Sequence, residues 1–570
     1  MGSLKVEERS LDEGGIAKRL WNKLETERAS ALYSPYVLSL AAGDLHPNSF
    51  LHCISQDVYF LQAFAQAYEL AEEYADDEED KEAIAELRKR VLNRLRNQDA
   101  LISEWGFNPS KETSCDDATA KYTEFLMETA SGKVGGEKLS VNIVTPFEKT
   151  KLAAYTLSAI SPCMRLYSFI SKEIVALLDS NETDHIYKKW LSSLSSPKFE
   201  ASAMRIEELL DKLSVSLTGE ELDVVERLYH RAMKLELEFI WSQSVHQRTV
   251  VPFLRLHDNS DNRFVIFSGF DVTCTSIDSS ALLAELAVVA AAANASESQL
   301  LETPAADTRA MWNNLFSQYA EEYQQCIEGI IPGQAGTEKT LQEGYDYDGL
   351  CKTLEQISNV EKMATERVIN SNVLSGLNLE DIKRAGERLT LQDGCEKFVH
   401  DVTQSESSAP EVHILSYCWC GDLIWSAFSS VEQTKLNIHS NDLEYKESIS
   451  TGKMITNMLS PTDKLDAFNN ITNNMNGSKL TTVYIGGSVG DLLCLLEADI
   501  GIVIGSDASL TNLATQFGIM LVPLFSGLVS KQREVTEGGY TACKSKDKGA
   551  PNILYTVSNW DEIYMFVLGR

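Results

Sequence analysis

Positive charge is scarce in this chain. Its 51 Lys and Arg stand against 83 Asp and Glu, a formal net charge of −32. Nucleic acid and anionic membrane both demand clustered Lys and Arg, so neither is expected as a partner. No apolar stretch reaches the ~20 residues that span a bilayer, and no membrane insertion is expected. The eleven cysteines have neither the regular spacing of a disulfide framework nor the paired Cys-x-x-Cys of zinc knuckles. Cys418-Trp-Cys420 is a Cys-x-Cys at a strand end, where the two side chains point to opposite faces and make a poor metal site. Free thiols fit a reducing compartment. The first 20 residues carry neither an apolar signal core nor the Arg/Ser-rich, acid-poor composition of a transit peptide. The expected location is the cytoplasm.

What is present is an ordinary globular composition, 44% hydrophobic and 24% charged. The 570 residues exceed what one core supports, so two or more domains are expected. The acidic run 72–82 reads as solvated helix ends and loops.

Periodicity divides the chain. From about 15 to 250 apolar residues recur at three- and four-residue spacing, as in Ile54, Val58, Leu61, Ala65, Tyr68, which predicts an all-α bundle. From about 262 to 570 short β-rich runs (Arg263–Ser268, Val412–Tyr417, Thr481–Ile485, Ile500–Ile504, Ile519–Phe525) alternate with helical segments, which predicts a parallel α/β sheet. The interval 285–395 is helical by pattern and too long for a crossover, so a helical cap is expected there. The polar stretch 257–262 is the expected junction.

Three polar residues fall on apolar stripes of the helical half. Asp57 lies three residues after Ile54 and four before Leu61. Cys163 continues Thr156, Ile160, Tyr167, Ile170, and Glu236 continues Val225, Tyr229, Ala232, Phe239. A buried carboxylate costs several kcal/mol unless paired, so two acids and a thiol facing inward point to an enclosed polar pocket. The plainer reading of each is a core thiol or a helix-packing hydrogen bonder.

The segments Gln56-Asp57, Tyr122-Thr-Glu-Phe-Leu126, Ser161-Pro-Cys163-Met-Arg-Leu-Tyr167 and Glu236-Leu-Glu-Phe239 resemble the thiaminase II (TenA) family of aminopyrimidine hydrolases. The resemblance implies Cys163 as nucleophile, Asp57 as pyrimidine-binding carboxylate, Glu236 as acid/base and Tyr167 as a catalytic neighbour of the thiol. It also implies substrate contacts from Tyr122, Phe239 and Phe60, self-association through the helical half, and no cofactor there. One departure is Leu194, where the family often carries a tyrosine.

In the second half, Phe264-Val-Ile-Phe-Ser-Gly-Phe-Asp-Val-Thr273 resembles the first motif of haloacid dehalogenase (HAD) phosphatases, Asp-x-Asp-x-Thr. Ser416, Lys464 and Gly487…Asp491 follow in the order of the later motifs. The resemblance implies Asp271 as general acid/base, Thr273 and Ser416 as phosphate contacts, Lys464 as a neutralising cation, and Asp271 and Asp491 as the remaining Mg²⁺ ligands. Gly269 stands where the nucleophilic aspartate belongs and Gly487 where a metal carboxylate belongs. Glycine cannot form an aspartyl-phosphate, and Mg²⁺ depends on carboxylate charge, so phosphatase turnover and Mg²⁺ binding are expected to be lost or very weak.

A TenA-like half followed by a HAD-like half is similar to the bifunctional thiamin-salvage proteins of plants. The implied activity converts 4-amino-5-aminomethyl-2-methylpyrimidine to its hydroxymethyl form with release of ammonia. Two other readings fit the residues: a repurposed pocket acting on another heterocyclic amine or imine, and a phosphate-ester binder that does not hydrolyse its ligand.

Overall fold

The structure is a computed structural model, and it describes residues 14–108, 114–134, 137–138, 146–178, 184–256, 262–293, 304–330, 345–404, 410–431, 435–475, 479–536 and 552–570. The chain divides into two compact units. The first runs to Val251 and includes Leu528–Tyr540 and Gly569–Arg570; the second holds Pro252–Gly527 and Thr541–Leu568. Most of the expected junction, 257–261, lies outside the described residues.

The first unit is helical, with a two-residue hairpin at Lys133–Val134 and Glu137–Lys138. The long helix Pro47–Tyr74 packs against Glu78–Arg96, Asp117–Ala130 and Pro146–Leu177. The last of these also packs against Pro197–Ser214 and Gly219–Ser242. Helix starts follow local chemistry. Proline occupies the first turn at Pro47 and Pro197, where its missing N–H costs nothing. At Gly219–Ser242 a capping box joins Thr218 and Glu221, each side chain accepting from the other's backbone N–H. The apolar stripe of that helix (Val225, Tyr229, Ala232, Phe239) is at most 1% exposed, and Glu236 in the same stripe is 1% exposed. Burying each large apolar side chain there contributes roughly 1.5–3 kcal/mol. Pro162 lies inside Pro146–Leu177, one residue before Cys163. It removes the backbone bond to the Ser158 carbonyl and loosens the helix beside the thiol.

The second unit carries the expected parallel sheet of an α/β domain. Seven strands run in the order Met520–Pro523, Ile553–Val557, Ile500–Ile504, Lys479–Gly486, Asn262–Ser268, Glu411–Leu415, Leu436–His439, all parallel. Ser268 pairs with Ile485 on one side and Ile414 on the other. The carboxyl ends of three adjacent central strands therefore deliver Gly269, Gly487 and Ser416 to one rim, where α/β folds place their ligand sites. Between the first two strands lie helices Ser279–Ala293, Pro304–Ile330, Tyr347–Ser371, Leu379–Glu387 and Cys395–Gln404. The interval is not purely helical. Ser375–Asn378 joins Asp442–Lys446 and Ile449–Ile455 in a three-stranded antiparallel sheet that the sequence pattern did not indicate.

Candidate functional site

The helical unit gathers its singled-out residues from four helices. Asp57 comes from Pro47–Tyr74, Tyr122 from Asp117–Ala130, Cys163 and Tyr167 from Pro146–Leu177, and Glu236 and Phe239 from Gly219–Ser242. Phe60 packs edge-on against Phe239, with centroids 5.0 Å apart, and against Tyr122 at 5.4 Å. These rings form an apolar wall of the kind that holds a flat heterocycle.

The electrostatics are those of a largely buried acidic cluster. Burial raises the Glu236 carboxyl to about 7, with a further push from Asp57, while the neighbouring Cys163 thiol and Tyr122 hydroxyl favour its charged form. Its Oε2 is buried and has no hydrogen-bond partner among the described residues. The Cys163 thiol is 8% exposed and pushed well above the usual range by burial, then by the charge of Glu236 and the hydrogen bond to it. At rest it is a neutral thiol beside a carboxyl group that can take its proton. The Tyr122 hydroxyl donates to the Ala159 carbonyl at 3.2 Å, just upstream of Pro162. Tyr167 is raised by burial and then by Glu236, Cys53, Cys163 and Asp57, which places it among all four.

Two contributors were missed by sequence reasoning. Arg94, from helix Glu78–Arg96, donates from Nη2 to Asp57 Oδ2 at 2.8 Å. Burial raises the Asp57 carboxyl and this guanidinium opposes the rise. Cys53, one turn before Asp57, is a second buried thiol, pushed up to about 12 by burial, with the Tyr36 hydroxyl beside it opposing the rise. Its four-residue spacing from Asp57 was the available signal. Cys53, Tyr36, Tyr167, Phe239, Trp190 and Leu40 are among the residues that line a cavity of ≈ 20 Å³, with room for about one water. Leu194 is 2% exposed.

In the α/β unit the loop after Asn262–Ser268 is tight. Val272 holds φ +52°, and Thr273 Oγ1 accepts from the Gly487 N–H at 2.9 Å. The Trp560 indole donates to the Thr273 carbonyl at 3.0 Å. Asp271 Oδ1 accepts from the Ser279 N–H at 2.7 Å, and burial, then the charge of Asp278, raises its carboxyl. Ser416 is buried and its Oγ accepts from the Cys418 N–H at 3.0 Å. Lys464, from helix Pro461–Asn474, reaches Asp491 Oδ1 at 2.9 Å, where the Tyr484 hydroxyl also donates at 2.8 Å. Asp491 Oδ2 accepts from the N–H and hydroxyl of Ser488.

These residues do not fit Mg²⁺. Both oxygens of Asp491 are engaged by donors, glycine stands at 269 and 487, and no group of three or more His, Cys, Asp or Glu is placed to hold a metal among the described residues. A side chain at 269 would touch Thr273 Oγ1 and both Asp491 oxygens, and one at 487 would collide with the Val272 carbonyl.

Fold and site together define a two-part protein, a TenA-type helical bundle with an Asp–Cys–Glu cluster joined to a parallel α/β sheet with glycines at its rim. The helical part, residues 24–245, matches the TENA/THI-4/PQQC family. The whole chain is 50% identical over 564 residues to the Bifunctional TH2 protein, mitochondrial, of Arabidopsis thaliana, covering 98% of this chain and 90% of that protein. The chain belongs to the bifunctional TH2 family. A CTO1 family protein of Schizosaccharomyces pombe is 25% identical over 214 residues, covering 35% of this chain and 73% of that protein. Among solved structures, a TenA homologue protein from P. horikoshii OT3 is 20% identical (40% of this chain, 100% of that chain, TM-score 0.33). A phosphoserine phosphatase in its phospho-aspartyl intermediate analogue is 14% identical (44% and 91%, TM-score 0.27).

The expected cytoplasmic location is overturned by the Arabidopsis relative, which is named a mitochondrial protein. That expectation rested on the composition of 20 residues, and targeting segments are addresses outside the packed fold, so composition constrains them weakly.

Proposed function

We propose that the chain is a thiamin-salvage hydrolase whose helical unit hydrolyses an aminopyrimidine, with 4-amino-5-aminomethyl-2-methylpyrimidine as substrate and ammonia as leaving group. The observation that carries this reading is the pairing of a buried thiol, Cys163, with a carboxyl group held near neutrality, Glu236. Ionised Asp57 would hydrogen-bond the ring nitrogen and exocyclic amine of the pyrimidine and favour ring protonation. The ring then serves as electron sink. Glu236 accepts the Cys163 proton and the thiolate attacks the activated carbon. The C–N bond breaks with its electron pair on nitrogen, and Glu236 returns the proton to the departing amine. Water then displaces sulfur with Glu236 as base, giving the hydroxymethyl product and restoring the thiol. Phe60, Phe239 and Tyr122 would hold the ring plane, and Tyr167 would line the side of the thiol.

We further propose that the α/β unit does not turn over phosphate esters. The glycine at 269 and the closed Lys464–Asp491 pair support this. Ammonia release by the purified chain beside its Cys163→Ser variant tests the first proposal. Turnover lost in the variant is expected, and no turnover in the folded wild type would overturn the aminopyrimidine reading. Inorganic phosphate release from thiamin monophosphate with Mg²⁺ tests the second, with no release above background expected.

A further inference from the structure

The pocket of the helical unit holds three acids and a cation that family resemblance did not supply. Titratable groups face Asp57 and Cys163 from each helix around them. They are Tyr36, Cys53, Tyr68, Tyr122, Tyr167 and Glu236. All of these are neutral when protonated and negative when not, so none can offset a carboxylate. Arg94 is the positive group that opposes the rise of both the Asp57 carboxyl and the Cys163 thiol. It lies in phase with Ile84 and Leu87, which are buried at 0% and 4% exposure, and so projects from the inward face of its helix.

Its contact is specific. Nη2 lies 2.8 Å from Asp57 Oδ2, with side chains 28% and 24% exposed, partly desolvated and beyond the reach of full solvent screening. Two carboxylates and a nascent thiolate close together and largely desolvated disfavour one another's charge, which favours proton uptake by one of them. A cation fixed on Asp57 decides which: Asp57 stays ionised and Glu236 holds the mobile proton. The planar guanidinium also fixes the carboxylate's rotation by occupying one oxygen, which directs the other to a ligand.

We propose that Arg94 is the positioning residue of this pocket, holding Asp57 ionised and oriented for the aminopyrimidine and setting the division of charge between Asp57, Glu236 and Cys163. This rests on the function proposed above, so its test carries a readout that needs no turnover.

Arg94→Met and Arg94→Lys are compared with the wild type in two measurements. The first is ammonia release from about pH 6 to about pH 9. Arg94→Met is expected to raise KM by about tenfold or more and to move the acidic limb of kcat/KM to higher pH, because burial of Asp57 is then unopposed. Arg94→Lys restores the limb but recovers only part of KM, since an ammonium lacks the planar fork. The second is iodoacetamide labelling of the Cys163 peptide across the same pH range without substrate. Slower labelling in Arg94→Met and near-normal labelling in Arg94→Lys are expected. A lowered kcat with an unmoved pH profile and unchanged labelling would show a merely structural residue and overturn the proposal. If the wild type releases no ammonia, the aminopyrimidine reading fails and the labelling profiles alone decide the role of Arg94.

Discussion

Lys464 and Asp491 form an almost fully buried ion pair, 2.9 Å from Nζ to Oδ1, with side chains 4% and 1% exposed. The ammonium also lies 4.2 Å from the centre of the Tyr417 ring. In a rim that lacks two carboxylates, the lysine supplies the positive charge that Asp491 needs. Both Asp491 oxygens are already engaged by donors, Lys464 and Tyr484 on one and Ser488 on the other.

Removing one partner should therefore be worse than removing both. Lys464→Met leaves a buried carboxylate facing only Tyr484 and Ser488, and a loss of about 3–5 kcal/mol is expected. The double variant Lys464→Met/Asp491→Leu replaces the pair with apolar groups of similar volume and should recover most of it. Thermal melts of the three proteins check the order. A double variant no more stable than the single would show that the pair itself contributes net stability.

Gly487 is a packing requirement as well as a missing ligand. Its Cα lies where any Cβ collides with the Val272 carbonyl, and its N–H is held by Thr273 Oγ1. Gly487→Asp should cost about 1–3 kcal/mol by overpacking. Gly269→Asp meets side-chain atoms, Thr273 Oγ1 and the Asp491 carboxylate, and its cost is electrostatic. Adding salt should leave the Gly487→Asp melt unchanged and ease that of Gly269→Asp. Equal salt responses would contradict this division.

The legible parts of the chain are those that rest on periodicity. Asp57, Cys163 and Glu236 were found because a polar residue in a 3.6-residue apolar stripe must face inward, and the structure brings them into one pocket. The Asp57–Arg94 pair was not found, because a long side chain from another helix bridges a distance that no spacing encodes. The central strands were legible as buried β-rich runs. Leu436–His439 is a four-residue edge strand containing Asn and His, and Ile553–Val557 is only partly buried, so both escaped notice. The small antiparallel sheet turns at Glu447 and Ser448, both at positive φ, without the Asn-Gly signal that such a turn usually shows.

Glu236 makes stability pH-dependent in a defined direction. Its carboxyl is raised from an ordinary 4.5 to about 7, so the folded state binds a proton more tightly than the unfolded chain. The stabilisation is complete below about pH 4.5 and is lost as pH rises through about 7. Glu236→Gln should therefore gain on the wild type across that window, by at most about 3 kcal/mol, while its kcat falls by about 10²–10⁴. Urea midpoints of both proteins at pH 5 and pH 8 check the first part. A gap that does not widen with pH would mean that Glu236 is not buried as a carboxyl group.

Val272 is a β-branched residue at φ +52°, a backbone region that L side chains with branched Cβ rarely occupy. It is held there from several sides. Its N–H donates to Thr275 Oγ1 at 3.3 Å, its carbonyl accepts from Gln392 at 3.4 Å, and the neighbouring Thr273 is pinned by Gly487 and Trp560. The side chain is 42% exposed, so little burial is lost on removing it. Strain of this kind costs of order 1–3 kcal/mol, against about 0.5–1 kcal/mol for the added freedom of glycine in the unfolded chain. Val272→Gly should therefore stabilise the α/β unit by about 1 kcal/mol, the reverse of the usual effect of a glycine. A melt that shifts downward would show that the loop relaxes without cost and that Val272 stores no strain.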